Sequence, residues 1–146
     1  MDKQEILLSA QKIISEKIQQ LHHLIAETRQ SNGETKSAMG DKYETGAEIL
    51  QQEINHLNHQ LSENMKLQDS LQRLNNKASI TADLGALVET NNGIFYISAA
   101  VGTLSFQNRK IMCVSSESPI AKVMNGLVTG QTFTLNGTPQ TIMEIW

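Results

Sequence analysis

The chain contains a single cysteine, Cys113, so no disulfide can form within it. Aromatic residues make up 4% of a sequence that is 39% hydrophobic, which makes any core mainly aliphatic. Basic charge is not in excess: the formal net charge is −3, whereas affinity for a free phosphate backbone needs clustered Lys and Arg. Direct binding to free nucleic acid is therefore weak or absent on this reading. No apolar run approaches the roughly 18 residues of a membrane span. Charge also interrupts the first turns of MDKQEILLSAQKIISEK, where a secretory leader needs an unbroken apolar core. These absences predict a soluble cytoplasmic protein with no membrane partner. At 146 residues the chain suits one ordinary domain or two small ones.

Residues 2–30 also lack Gly and Pro, and they repeat apolar residues at helical spacing. Leu7, Ile14, Ile18, Leu21 and Ile25 form one stripe, with Gln, Lys, Glu and His on the other faces. Residues 31–40, SNGETKSAMG, carry two glycines and small polar residues and read as a loop. A second helical pattern runs over 42–76, striped by Leu50, Ile54, Leu57 and Leu61. Folded back on the first, it sets Ile25 against Leu50, Leu21 against Ile54, Ile18 against Leu57 and Ile14 against Leu61. The pivot then falls between residues 37 and 38. The next layer pairs Gln11 with Asn64, a polar layer of the kind that fixes register in coiled coils, and Leu8 with Leu67 resumes the apolar seam. An antiparallel hairpin about 40 Å long results, and a monomer is expected. One long broken helix in an intermolecular coiled coil is the rival arrangement.

Composition shifts at Asn75–Ala82, NNKASITA, and this places a domain boundary between 1–76 and 77–146. Beyond it the period becomes two. GALVET and GIFYISA are joined through Asn91-Asn92-Gly93, a turn suited to a hairpin. RKIMCV reads as a third strand, and QTFTLN with PQTIMEIW as another hairpin around Gly137. Between them SPIAKVMNG reads as one short helix, with Ser118 as N-cap, Pro119 at the first helical position and Gly126 as terminator. The fold class is α+β: an antiparallel helical hairpin followed by a small β-rich domain with one short helix.

Few residues carry the marks of chemistry. Asp41 and Glu44, three apart at the bend, make a capping box in one reading: Asp41 as N-cap, with Glu44 reaching back to its N–H. In the other reading both carboxylates project from an acidic tip at 31–44 as hard oxygen ligands for a divalent cation. Two carboxylates do not fill a magnesium shell, so water and a partner would complete it. His22 and His23 on the first helix, with His56 and His59 on the second, form no convincing zinc ligand set, and an exposed polar face explains them. Cys113 between apolar strand residues reads as a buried, inert thiol. Ser115, Ser116 and Ser118 have no histidine in their half of the chain to activate them.

Two motifs in order give a family resemblance. KIMCVSSESPIAKVMNGLVTGQTFTLN is similar to the strand, S-P-I/L, short helix, G, strand pattern of the Gre family of bacterial transcript-cleavage factors. LGALVET and IFYIS stand at the places of that family's first two strands, and Gly40-Asp41-x-x-Glu44 resembles its acidic tip. The resemblance spans nearly the full length. It departs at Gln131, where the family has Asp, and at Thr45, where it has Asn. The resemblance implies an FKBP-like C-terminal domain that docks on RNA polymerase at the secondary channel. It also implies a hairpin whose tip lies by the catalytic magnesium, with backtracked RNA met only inside the elongation complex. Asp41 and Glu44 would there hold Mg2+ jointly with the polymerase and stimulate its own RNA cleavage, so the chain itself would be an accessory factor and not an enzyme. A non-cleaving regulator or inhibitor of the same shape, a structural coiled-coil adaptor, and a prolyl isomerase suggested by the expected fold stand as alternatives.

Overall fold

A computed structural model describes the backbone of residues 1–38 and 43–146 and the side chains of residues 1–31 and 46–146. Helix α1 spans Lys3–Ala38 and helix α2 spans Tyr43–Gln72. Asp2 starts α1 as its cap: its carboxylate accepts from the N–H of Gln4 at 3.0 Å and of Glu5 at 3.3 Å, which satisfies donors that a helix start leaves open. The chain forms two compact units, one of Met1–Ile13 with Asp69–Trp146 and one of Ile14–Gln68.

In the Ile14–Gln68 unit the stripe is buried as its spacing dictates. Ile14, Leu21, Ile25 and Ile54 are buried, and Ile18, Leu50, Leu57 and Leu61 are half-buried. Two expectations are corrected. Residues 31–38, read as loop, continue α1. One glycine costs about 1 kcal/mol in a helix, and a helix already propagated over many residues outweighs that cost. Asn64 is buried, and its amide donates to the carbonyl of Gln60 in its own helix at 2.8 Å, so the i−4 backbone oxygen satisfies it. Leu8 is 53% exposed, and its neighbour Leu7 is the buried residue.

The other unit contains a six-stranded sheet of β1 (Leu87–Thr90), β2 (Gly93–Ile97), β3 (Gly102–Phe106), β4 (Arg109–Val114), β5 (Thr132–Leu135) and β6 (Thr138–Ile145). The short helix α3 (Pro119–Met124) lies between β4 and β5 in sequence. The strand order is β3-β4-β2-β1-β6-β5, and every neighbouring pair is antiparallel except β2 with β4. Strand β3 is not among the strands that the sequence pattern predicts. After β2 the chain runs out along β3 and turns at Gln107 and Asn108, both at positive φ. It then returns as β4, inserted between β3 and β2.

Alternation places Val88, Phe95, Ile97 and Val114 on one side of the sheet, packed with Ile120, Ala121 and Met124 from α3. Leu87, Ile94, Tyr96, Ile111 and Cys113 on the opposite side are buried too. The first turns of α1 add buried Ile6, Leu7 and Ala10 to this unit, and α2 adds Leu71. Helix α3 begins as its sequence predicts: Ser118 Oγ accepts from the N–H of Ala121 at 3.3 Å, with Pro119 directly after the cap. Gly126 at φ +80 follows the helix, a backbone state that glycine adopts without a Cβ penalty.

Candidate functional site

Asp41 lies outside the described residues, and Glu44 is described only as backbone in the first turn of α2. Of the nearby acids, Glu48 is exposed one turn further along α2. A carboxylate in a first turn faces the positive end of the helix dipole.

The histidines are placed as surface residues. His23 Nε2 lies 3.0 Å from Glu27 Oε1 on the same exposed face of α1. His56 Nε2 is 2.9 Å from Gln60 Nε2 one turn on. Among the described residues, no three His, Cys, Asp or Glu side chains gather closely enough to hold a metal.

Cys113 is 3% exposed. Burial pushes its thiol up to about 11, partly opposed by a side-chain hydrogen bond with Ser98. At neutral pH it is a protonated thiol and a poor nucleophile. Tyr96 pairs with Cys113 across β2 and β4; its hydroxyl is buried, and among the described residues it has no hydrogen-bond partner. Burial first, and then the charge of a Cys113 thiolate, raise the phenol to about 12. Phe95, Tyr96, Phe106 and Phe133 are all buried, so these aromatic rings serve as core. The groove of about 360 Å³ beside β3, bordered by Gly102, Thr103, Met112, Val114 and Ser118, has no aromatic lining. A prolyl isomerase pocket of the aromatic kind is not formed there.

A second cleft, of about 400 Å³, lies between the start of α1 and the end of β6, bordered by Asp2, Lys3, Asn76 and Trp146. Lys3 is 7% exposed. Its ammonium donates to the carbonyls of Lys77 at 2.8 Å and Trp146 at 3.0 Å. Burial lowers its pKa, opposed by the negative charge of Asp83. Nothing in the sequence marks Lys3, because a lysine in the first turn of a polar helix reads as solvated. Only the pairing of distant segments reveals its environment.

No protein-family model matches the chain, and no curated protein matches it. Solved structures do. The transcription factor Gfh1 aligns over 93% of this chain and 92% of its own, at 16% identity and a TM-score of 0.39. GreA factor homolog 1 (Gfh1) of Thermus thermophilus aligns over 93% and 94%, at 15% identity and a TM-score of 0.38. Thermus aquaticus Gfh1 aligns over 90% of each chain, at 18% identity and a TM-score of 0.35.

Proposed function

We propose that this chain is a Gre-like transcription elongation factor that binds RNA polymerase at the secondary channel. There it brings Asp41 and Glu44 to the catalytic centre and stimulates the polymerase's own cleavage of backtracked RNA. The observation that supports this reading is positional. Gly40 and Asp41 of the acidic motif fall in sequence between helices of 36 and 30 residues, with Glu44 in the first turn of the second, and a β-rich domain with a Ser118–Pro119 helix start follows in the family's order. Long helices suit a tip that must reach into a channel, since 30 residues of helix span about 45 Å.

The donor set fits magnesium: two carboxylates three residues apart, with no soft ligand among them. A magnesium ion shared with the polymerase would supply the charge that stabilises the attacking and leaving oxygens. The role of Asp41 and Glu44 is to hold that ion and orient water, and the β-rich domain provides the docking surface. On this reading the chain acts as an accessory factor and as a monomer in the cytoplasm.

A second reading has its own support. Thr45 and Gly46 follow the tip glutamate where the family has Asn, and this favours a factor that occupies the channel without cleaving. Adding the purified chain and magnesium to a stalled, backtracked elongation complex decides between the two. Shortened RNA is the expected result. Slowed elongation with intact RNA would favour the inhibitor, and no binding to the complex would reject both.

A further inference from the structure

The chain holds four Asn-Gly pairs, at Asn32, Asn92, Asn125 and Asn136. Such a pair can react with itself, the glycine backbone nitrogen attacking Cγ of the asparagine side chain. A five-membered succinimide forms and the side-chain nitrogen leaves as ammonia. Water then opens the ring at either carbonyl. One opening gives aspartate; the other gives isoaspartate, in which the main chain runs on through the side-chain carbons. Glycine presents no Cβ to obstruct the attack. Its N–H must be free to give up the proton, and the asparagine amide must be free to swing onto the nitrogen.

Three of the four pairs are withheld from this reaction. Asn32 and Gly33 lie inside α1, where a backbone N–H donates to the carbonyl four residues back. Gly93 closes a two-residue turn as the ladder partner of Thr90, the position whose N–H bonds back across a turn. The N–H of Asn92 is itself tied to Thr90 Oγ1 at 3.1 Å. Gly126 donates its N–H to the carbonyl of Ala82 at 3.1 Å.

Asn136 and Gly137 are placed differently. They alone connect β5 to β6, between the paired Leu135 and Thr138. Their φ values of +53 and +78 make a type I′ turn, in which only the flanking residues bond to each other across the strands. Among the described residues, nothing accepts from the Gly137 N–H, and the Asn136 side chain makes no hydrogen bond. Both residues are exposed. Strand β5 ends the sheet, so backbone pairing holds the turn from the β6 side only.

We propose that Asn136 is a site of self-deamidation: the Gly137 nitrogen displaces ammonia from the Asn136 side chain, and water completes the conversion to aspartate and isoaspartate. The aspartate form keeps the turn, because Asp tolerates the left-handed conformation as Asn does, and it adds one negative charge. The isoaspartate form inserts a carbon into the main chain of a two-residue turn, so the register of Leu135 with Thr138 is disturbed. Strand β5 carries Phe133 into the core beside α3, and that strand is the one to loosen. The reaction is independent of the acidic tip and of the polymerase reading.

The test ages the full chain in mildly alkaline buffer, in ordinary and in 18O-labelled water, and maps its fragments by mass spectrometry. Each event adds about 1 Da in ordinary water and about 3 Da in labelled water. Asn136 is expected to convert at least about fivefold faster than the other three pairs, since each of those must first open a hydrogen bond. Both aspartate and isoaspartate should appear there. In urea the preference should vanish, with all four pairs converting at similar rates. Gly137→Ala sets a Cβ against the attack and should slow Asn136 at least about tenfold. It should do so in urea as well as in buffer, so the result does not rest on how the variant folds. Conversion at Asn136 no faster than at the other pairs of the folded chain would overturn the proposal. So would unchanged conversion in Gly137→Ala, or aspartate without isoaspartate, which is the product of direct amide hydrolysis.

Discussion

Tyr96 and Cys113, side by side on β2 and β4, concentrate the unusual electrostatics of the β-rich unit. A buried hydroxyl without a partner costs roughly 1–3 kcal/mol of lost hydration. Tyr96→Phe is therefore expected to leave stability to urea unchanged or raise it by about 1 kcal/mol. A clear fall would show that the hydroxyl is satisfied after all. Cys113 makes stability depend on pH. The folded chain keeps the thiol proton up to about 11, whereas the unfolded thiol releases it near 9.0. The folded state thus binds more protons in that window, and stability falls as pH rises through it. Tyr96, raised from 10.0 to about 12, adds to the fall at the upper end. Lys3 acts oppositely: its folded pKa lies below 10.5, so the unfolded chain binds more protons there and stability gains as pH approaches 10.5. Cys113→Ala isolates the thiol. Urea midpoints measured from pH 8 to 11 should decline less steeply in the variant than in the parent, whatever its stability at pH 8.

At the scale of elements, short helix α3 is the most local construction in the chain and the easiest to test. Ser118 Oγ both accepts from Ala121 N–H and donates to the Ser115 carbonyl at 2.7 Å. Ser118→Ala should cost about 0.5–2 kcal/mol, and Ser118→Asp, which still accepts from the Ala121 N–H but cannot donate to the Ser115 carbonyl, should restore part of it; chemical denaturation measures both. Helix α3 was legible because a Ser-Pro start and a Gly stop are local signals. The strands β1, β2, β4, β5 and β6 were legible from alternation and from Asn-Gly turns. Strand β3 was not, because its turn is Gln107–Asn108 and its first residue is Gly102, so neither end carries a strong strand signal. The parallel pairing of β2 with β4 was illegible too, since an inserted strand leaves no trace in a linear pattern. In the helices, burial of Ile14, Leu21, Ile25 and Ile54 followed from spacing alone. Continuation of α1 over residues 31–38 did not, because propensity at a few residues is a weak signal beside the cooperativity of a long helix. Of the candidate site, the sequence marks Asp41 and Glu44 by type and spacing, while the surroundings of Lys3 and Tyr96 emerge only once distant segments are brought together.

For the whole molecule, the question is whether the carboxylates of Asp41 and Glu44 serve the helix or a metal, and the two roles separate in substitution chemistry. As a capping box, Asp41 supplies about 0.5–2 kcal/mol to α2, and Asn caps as well as Asp does. As a metal ligand, Asp41 contributes charge, which Asn lacks. Asp41→Asn should therefore keep the thermal midpoint and polymerase affinity of the parent, yet slow RNA cleavage in a backtracked complex, most of all at limiting magnesium. Raising magnesium should recover part of the rate, because a weakened site fills by mass action. The double variant Asp41→Ala with Glu44→Ala should abolish cleavage and still compete with the parent for polymerase, since docking is assigned to the β-rich domain. Parent-like cleavage by Asp41→Asn at limiting magnesium would sink the metal role for Asp41. Loss of polymerase binding in the double variant would instead make the tip part of the docking surface, contrary to the division of labour proposed for the two halves of the chain.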